Sequence, residues 1–369
     1  MTERIRIGII GANSQAGFAL QGHLPAVVAS SDFELTAVCT TKMESAEESA
    51  RAYGAKLAFD DYHQMLAHPE VDAVSVVVRV PSHFEPTRDA IAAGKAVYTE
   101  WPLGRTTAEA VELGALAKAK GSVTATGLQS RMNPALMYMR DLIADGYLGE
   151  VTSCHVSAIR EGVLERPSSH SWQGDVTLGA NALTTSAGHA IDTLVYVAGG
   201  FATLSAMVST QIKQVLESDT KQLVDVTAPD TVTVGGRLQN GAVASVHVAM
   251  VPFAGRGYRL EIYGREGTLS IVTPGSAGRA VLQLRGARRT NTLEDLEVPE
   301  RYVFVSEQTP PGVPYCIGQL YSQFAESIRS GKGDHPDFAT AVSLHHLLDA
   351  IRASSESGSK VAVPSASSD

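Results

Sequence analysis

Over the first third of the chain, short runs of β-branched and apolar residues alternate with segments whose apolar positions recur at helical spacing. Ile5 to Ile10, Glu34 to Cys39, Ala73 to Val78, Ala96 to Thr99 and Val123 to Thr126 read as strands. Ser45 to Tyr53 and Phe84 to Ala93 read as helices between them. A longer helix is signalled by Thr106 and, three residues on, Glu109, a capping box ahead of apolar Val111, Leu113 and Leu116. Strands alternating with helices predict a doubly wound parallel sheet covered on both faces.

After Gly127 the pattern changes. Asn133 and Pro134 have the form of an N-cap and first helical residue, and that helix closes near Gly146. Strands then dominate: Val151 to Ser157, Thr231 to Leu238, Ala242 to Val248, Tyr258 to Tyr263 and Thr268 to Val272, with Asn240-Gly241 as a hairpin turn. A helix from about Ala182 to Tyr196 interrupts them, and helices Ile317 to Ser330 and Phe338 to Ser355 precede a Ser-rich tail expected to fray. The fold class is therefore α/β in two parts. Residues 1–126 are expected to carry the parallel sheet, and residues 127–369 an α+β domain on a largely antiparallel sheet. A length of 369 residues agrees with two domains.

Composition narrows the functions. Apolar residues at 44% and charged residues at 19% suit a globular chain with a large core. A net charge of -9 without a long basic run disfavours direct nucleic-acid binding. Cys39, Cys154 and Cys316 fit neither a disulfide framework nor zinc spacing, which points to a reducing compartment. The N-terminus runs straight into a strand pattern, and no segment is apolar for long enough to span a bilayer. A cytoplasmic protein is expected, with no membrane partner.

The first strand leads into Gly11-Ala12-Asn13-Ser14-Gln15-Ala16-Gly17 and then a helix, the context of a dinucleotide-binding turn. Gly11 makes the tight turn, and amides at Asn13, Ser14 and Gly17 face a pyrophosphate. Asn13 stands where the motif has its second glycine, so an ordinary strand-to-helix turn reads as well; position at the first βα junction favours function. The second strand ends in Cys39-Thr40-Thr41-Lys42, with hydroxyls and a cation instead of the carboxylate that binds the ribose of NAD. Thr41 and Lys42 therefore favour NADP, with NAD open and a solvated lysine the alternative. The next strand ends, at Val80, Pro81 and His83 and at Glu100 and Trp101, are expected to face the nicotinamide ribose.

In order along the chain, Gly11 to Gly17, Val80-Pro81-Ser82-His83, Ala93 to Val97, Glu100-Trp101-Pro102, Asn133-Pro134, Gly146 to Val151 and Gly264 to Leu269 resemble the glucose-fructose oxidoreductase / inositol dehydrogenase (Gfo/Idh/MocA) family. The resemblance implies a Rossmann domain followed by an α/β domain whose open sheet mediates oligomerisation, as a dimer or tetramer. It also implies NAD(P)-linked oxidation or reduction of a sugar or cyclitol. The family's lysine in Glu-Lys-Pro is Trp101 here, and aligning its Asp-x-Gly-x-His on His189 puts Thr185 at the aspartate and Ala187 at the glycine. Those changes, with His23-Leu24-Pro25-Ala26 and Gly127-Leu128-Gln129, look closest to the galactose-repressor-like branch. A non-catalytic, dinucleotide-binding regulator is the alternative this implies.

Hydride removal from an alcohol needs a base, and His189 is the best one left. By spacing alone it reads as a packed core histidine; the resemblance implies a site role, with Asp192 on the same helical face. Trp101 cannot shuttle a proton, but offers a flat face to a sugar or the nicotinamide, or a wedge between domains. Gln129, Arg160, His170 and Trp172 are candidates to line a polyol pocket with His189. His345-His346 lacks a partner at metal spacing, so no metal is expected.

Overall fold

The structure, a computed structural model, describes residues 3–364. The tail expected to fray continues beyond them, and residues 365–369 lie outside the described part. Two compact units are present, Met1–Met132 with Val303–Val342 and Asn133–Tyr302 with Ser343–Asp369. The expected division at residue 126 differs in two respects: the first unit runs on to residue 132, and residues 303–342, with a long helix, group with it.

In the first unit, β1 (Ile5–Ile10), β2 (Phe33–Cys39), β3 (Leu57–Phe59), β4 (Ala73–Val76), β5 (Ala96–Thr99) and β6 (Thr124–Thr126) form one sheet in the order β3-β2-β1-β4-β5-β6. Every pairing is parallel. The strands are largely buried because both faces are covered; Ile7, Ile9, Val74, Val76 and Val97 are fully buried. Strand β3 escapes the sequence pattern, being three half-buried residues at the sheet edge. The order reverses between β1 and β4, which opens a crevice at the carboxyl ends of the strands.

The helix after the glycine turn begins as a π-helical turn, Ala19–His23, before Leu24–Val28. There the backbone runs against helix Val313–Ser330, and a Cβ on Gly22 would overlap Ile317. From that helix Tyr321 and Phe324 enter the core, where Phe324 stacks on Phe33 with centroids 6.1 Å apart. Each buried aromatic of this kind contributes about 1.5–3 kcal/mol. The expected capping box is shifted by one residue. Thr106 accepts from the Glu109 amide, but the Glu109 carboxylate turns back to the amide of Arg105.

The second unit holds two sheets. Its strands are β7 (Val151–Glu161), β8 (Glu165–Arg166), β9 (Phe201–Ser209), β10 (Gln214–Glu217), β11 (Leu223–Asp225), β12 (Thr231–Leu238), β13 (Val243–Val251), β14 (Gly257–Gly264), β15 (Gly267–Thr273), β16 (Leu284–Arg288), β17 (Glu294–Leu296) and β18 (Val361–Ala362). Nine of them form a sheet in the order β17-β16-β15-β14-β7-β13-β12-β9-β18, antiparallel except for the β7/β13 pair. Strands β11, β10 and β8 form the small one. Alternation is clean in β12, where Val232 and Val234 are buried while Thr233 and Gly235 are exposed. The Asn240-Gly241 turn joins β12 to β13, with Gly241 at φ 92 and the Asn240 side chain accepting from the Ala242 amide. Asn133 caps helix Pro134–Ala144 through the Ala135 amide.

Candidate functional site

The glycine turn has the geometry its sequence requires. Gly11 sits at φ 88, and its amide donates to the Cys39 carbonyl at 2.8 Å. A Cβ there would overlap the Val77 carbonyl oxygen, so only glycine brings the turn this close to the end of β4. Asn13 folds the loop back by accepting from the Gln15 amide at 2.7 Å, the Asx turn that replaces a second glycine. The Ser14 amide donates to Ser49, and Ser14 Oγ is buried with no hydrogen-bond partner. Gly17 lies at φ 94 with open space around it.

At the end of β2 the Cys39 side chain points inward, and burial pushes its thiol up to about 12, with Asp61 and Asp60 adding to the shift. Thr40 is tied to Ser45 at 2.6 Å and to the Lys42 carbonyl at 2.8 Å. Thr41 and Lys42 are left exposed at the start of helix Met43–Tyr53.

Beyond the reversal point the sequence candidates separate. Val80 is buried and Pro81 half-buried in a short 3-10 turn. His83 is 1% exposed, with Nδ1 at 2.8 Å from the Pro102 carbonyl and Nε2 at 3.1 Å from that of Val78. Both ring nitrogens face main-chain carbonyls, and a neutral imidazole, with one N–H, donates to one of the two. Burial holds its pKa below the usual value, against the pull of the two carbonyls. Trp101 is 5% exposed and follows Glu100, 9% exposed, with a cis bond to Pro102. Gln129 is 4% exposed and Thr126 fully buried; Gln129 Oε1 and Thr126 Oγ1 have no hydrogen-bond partner.

In the second unit Asn181 caps the helical segment carrying the histidine, accepting from Leu183 and Thr184 while the Thr184 hydroxyl accepts from the Asn181 amide. The segment runs as a π-helical stretch Ala182–Ala187 into helix Gly188–Ala198. Thr185 donates to the Asn181 carbonyl at 2.5 Å, so the residue at the aspartate position serves the helix backbone. His189 is partly exposed in the first turn, and Asp192 is 1% exposed. The Thr193 and Tyr258 hydroxyls meet at 2.6 Å, and burial first, then Asp192, raises the Tyr258 phenol. Arg160 and His170 are exposed and Trp172 is half-buried. No group of three or more potential metal ligands occurs among the described residues.

The first unit fits a dinucleotide on its own evidence. Three buried polar atoms, Ser14 Oγ, Thr126 Oγ1 and Gln129 Oε1, lack partners at the carboxyl ends of the strands, where native interiors rarely leave such atoms unmade. Sequence reasoning missed what lies behind Glu100, a buried cluster of His23, Tyr98, Tyr321 and Ser75. Its only local signal is a histidine in an apolar helical segment at His23-Leu24-Pro25.

Comparisons agree with this geometry. Residues 5–128 match the model of the GFO_IDH_MocA oxidoreductase family, NAD-binding Rossmann fold, and residues 134–273 match the Gal80p C-terminal domain. An uncharacterized oxidoreductase of Synechocystis sp. is 26% identical over 98% of this chain and 96% of its own. Levoglucosan dehydrogenase of Pseudarthrobacter phenanthrenivorans is 26% identical over 98% of this chain and 99% of its own. A levoglucosan dehydrogenase structure in complex with NADH and levoglucosan superposes with a TM-score of 0.86, at 24% identity over 98% of this chain and 100% of that one. A super-repressor mutant of Gal80p from Saccharomyces cerevisiae gives 0.87, at 22% identity over 99% and 100%. Those two structures show the shared fold. The chain belongs to the Gfo/Idh/MocA oxidoreductase family, with an NAD-binding Rossmann domain and a C-terminal domain of the Gal80p type.

Proposed function

We propose that the protein is an NAD(P)-dependent oxidoreductase acting on a hydroxyl or keto group of a sugar or polyol. The observation that carries this reading is the set of buried, unpartnered polar atoms at the strand ends beside the Gly11 turn. Similarity to levoglucosan dehydrogenase over nearly the full length supports the substrate class. The first unit binds the dinucleotide and the second serves substrate and oligomerisation. Bound in the first unit, the nicotinamide supplies the hydride acceptor or donor. The Gly11 to Gly17 turn holds the pyrophosphate, Glu100 the ribose side, and Trp101 shapes the pocket. Gln129, Arg160, His170 and Trp172 contact the polyol. His189 takes the hydroxyl proton on oxidation and returns it on reduction. The same reading makes the protein a cytoplasmic homo-oligomer acting on a small molecule.

Reduced-nicotinamide absorbance, followed with NAD or NADP and a panel of sugars and polyols, tests the reading. His189→Ala is expected to lower kcat by about 10²- to 10⁴-fold, the usual worth of a positioned acid–base group, with dinucleotide affinity unchanged. A variant that turns over like wild type would remove His189 from the role. For cofactor choice, Lys42→Ala is expected to weaken NADPH about tenfold and leave NADH unaltered, because the exposed ammonium sits where a 2′-phosphate would be met. Tighter binding of NADH than NADPH by the unmodified protein would overturn that preference.

A second reading has one specific observation in its favour. Trp101 replaces the family lysine in a chain whose C-terminal domain is of the Gal80p type. Tight cofactor binding with no turnover across the panel would support a dinucleotide-binding regulator instead.

A further inference from the structure

Behind the strand-end crevice of the first unit lies a buried polar chain that ends on Glu100. Glu100 Oε1 accepts from the Tyr98 hydroxyl at 2.8 Å and lies 3.0 Å from His23 Nε2. On the other side of the imidazole, Nδ1 is 2.7 Å from the Tyr321 hydroxyl, which is 2.8 Å from Ser75 Oγ. His23, Tyr98, Tyr321 and Ser75 are all fully buried. The two tyrosines stack at 5.2 Å, and the His23 ring stands edge-on to both.

With a neutral imidazole, one arrangement of protons satisfies every contact. Ser75 donates to Tyr321, Tyr321 to His23 Nδ1, and His23 Nε2–H and Tyr98 both donate to Glu100 Oε1. Burial first, and the Glu100 carboxylate after it, push the Tyr98 phenol up; the same two causes raise Tyr321, so both remain O–H donors. Two donors on one oxygen fix the carboxylate, and Gly127 admits it: a Cβ there would stand 2.7 Å from the carboxyl carbon and both oxygens. Glu100 Oε2 receives none of these hydrogen bonds, and the side chain keeps 11% of its surface exposed.

Glu100 directly follows β5, which lies two strands past β1 on the side away from β2. In an open α/β sheet the half-site beyond the reversal point takes the second mononucleotide. Thr126 Oγ1, on the last residue of neighbouring β6, and Gln129 Oε1, three residues on, are buried without partners and independently mark this end of the sheet as wanting a polar ligand.

We infer that His23, backed by Tyr321 and Ser75, is a positioning residue that holds Glu100 with Oε2 turned to the crevice, where it accepts a hydroxyl of the ribose on the nicotinamide side. This rests on the first unit being a dinucleotide site. His23 touches no cofactor; it acts through Glu100.

The test compares binding of NADH and ADP by fluorescence and calorimetry, using the full chain and reading no turnover. ADP lacks the second ribose and serves also as a check on folding. Glu100→Gln and His23→Leu are each expected to weaken NADH about tenfold while ADP stays within twofold. His23→Gln, which keeps an N–H donor towards Glu100, is expected to recover NADH affinity to within about threefold of wild type. Equal losses for NADH and ADP, or wild-type NADH affinity in His23→Leu, would overturn the positioning role. Failure of the unmodified protein to bind either ligand would overturn the dinucleotide reading, and this inference with it.

Discussion

Gly11→Ala is expected to lower stability by about 2–5 kcal/mol, whereas Gly17→Ala, a few residues on, should lose only about 1–2 kcal/mol. Both glycines have positive φ, 88 and 94, and each alanine meets the same left-handed penalty. They differ in surroundings. At residue 11 the new Cβ would overlap the Val77 carbonyl oxygen and stand 2.8 Å from its carbon and 2.9 Å from Val78 Cγ1. Two strand ends of a parallel sheet must part to admit it. At residue 17 nothing lies within 4 Å. Thermal unfolding without cofactor should place the first variant several degrees below the second. Melting temperatures within a degree of each other would show that the close approach of the turn to β4 is not what demands glycine.

The second large effect is on pH. Burial drops the His345 pKa from its ordinary 6.5 to about 4, only partly offset by Asp349, and burial likewise lowers His83 and His335. A folded-state pKa below the unfolded one means that the unfolded chain binds protons first as pH falls. Stability from these histidines is therefore complete above about 6.5 and lost progressively towards pH 4. For His345 alone the loss approaches about 3 kcal/mol. Asp72, held below the usual carboxylate range by its hydrogen bonds to Arg6, adds a further loss only at more acid pH. Urea midpoints should fall steadily from pH 7.5 to 4.5, and His345→Gln should flatten part of that slope. A midpoint unchanged across the range in wild type would contradict neutral burial of these rings.

How much of the site was legible follows from how local each signal is. Gly11, Asn13 and Gly17 show in the sequence because a tight turn constrains neighbouring residues. Asn133-Pro134 marks its helix for the same reason, through a cap that closes on the Ala135 amide two residues on. The Thr106-Glu109 box was legible in outline only, since the carboxylate chose the Arg105 amide over the cap's own. Positions at the strand ends follow from topology, but roles do not. His83 and Glu100 both stand at strand ends, yet His83 turns inward to two carbonyls while Glu100 faces the crevice in the arrangement we infer.

Sequence by itself determined the alternation of strand and helix that makes a parallel sheet, the apolar faces of β12 and β13, and the turn that opens the crevice. Periodicity and turn chemistry are short-range properties, so a single chain displays them. Only the tertiary structure decided that helix Val313–Ser330 belongs with the first 132 residues and brings Tyr321 to His23. Those two partners are 298 residues apart, and His23 and Glu100 are 77 apart. Contacts at such separations depend on which surfaces bury together, and no spacing along the chain encodes them.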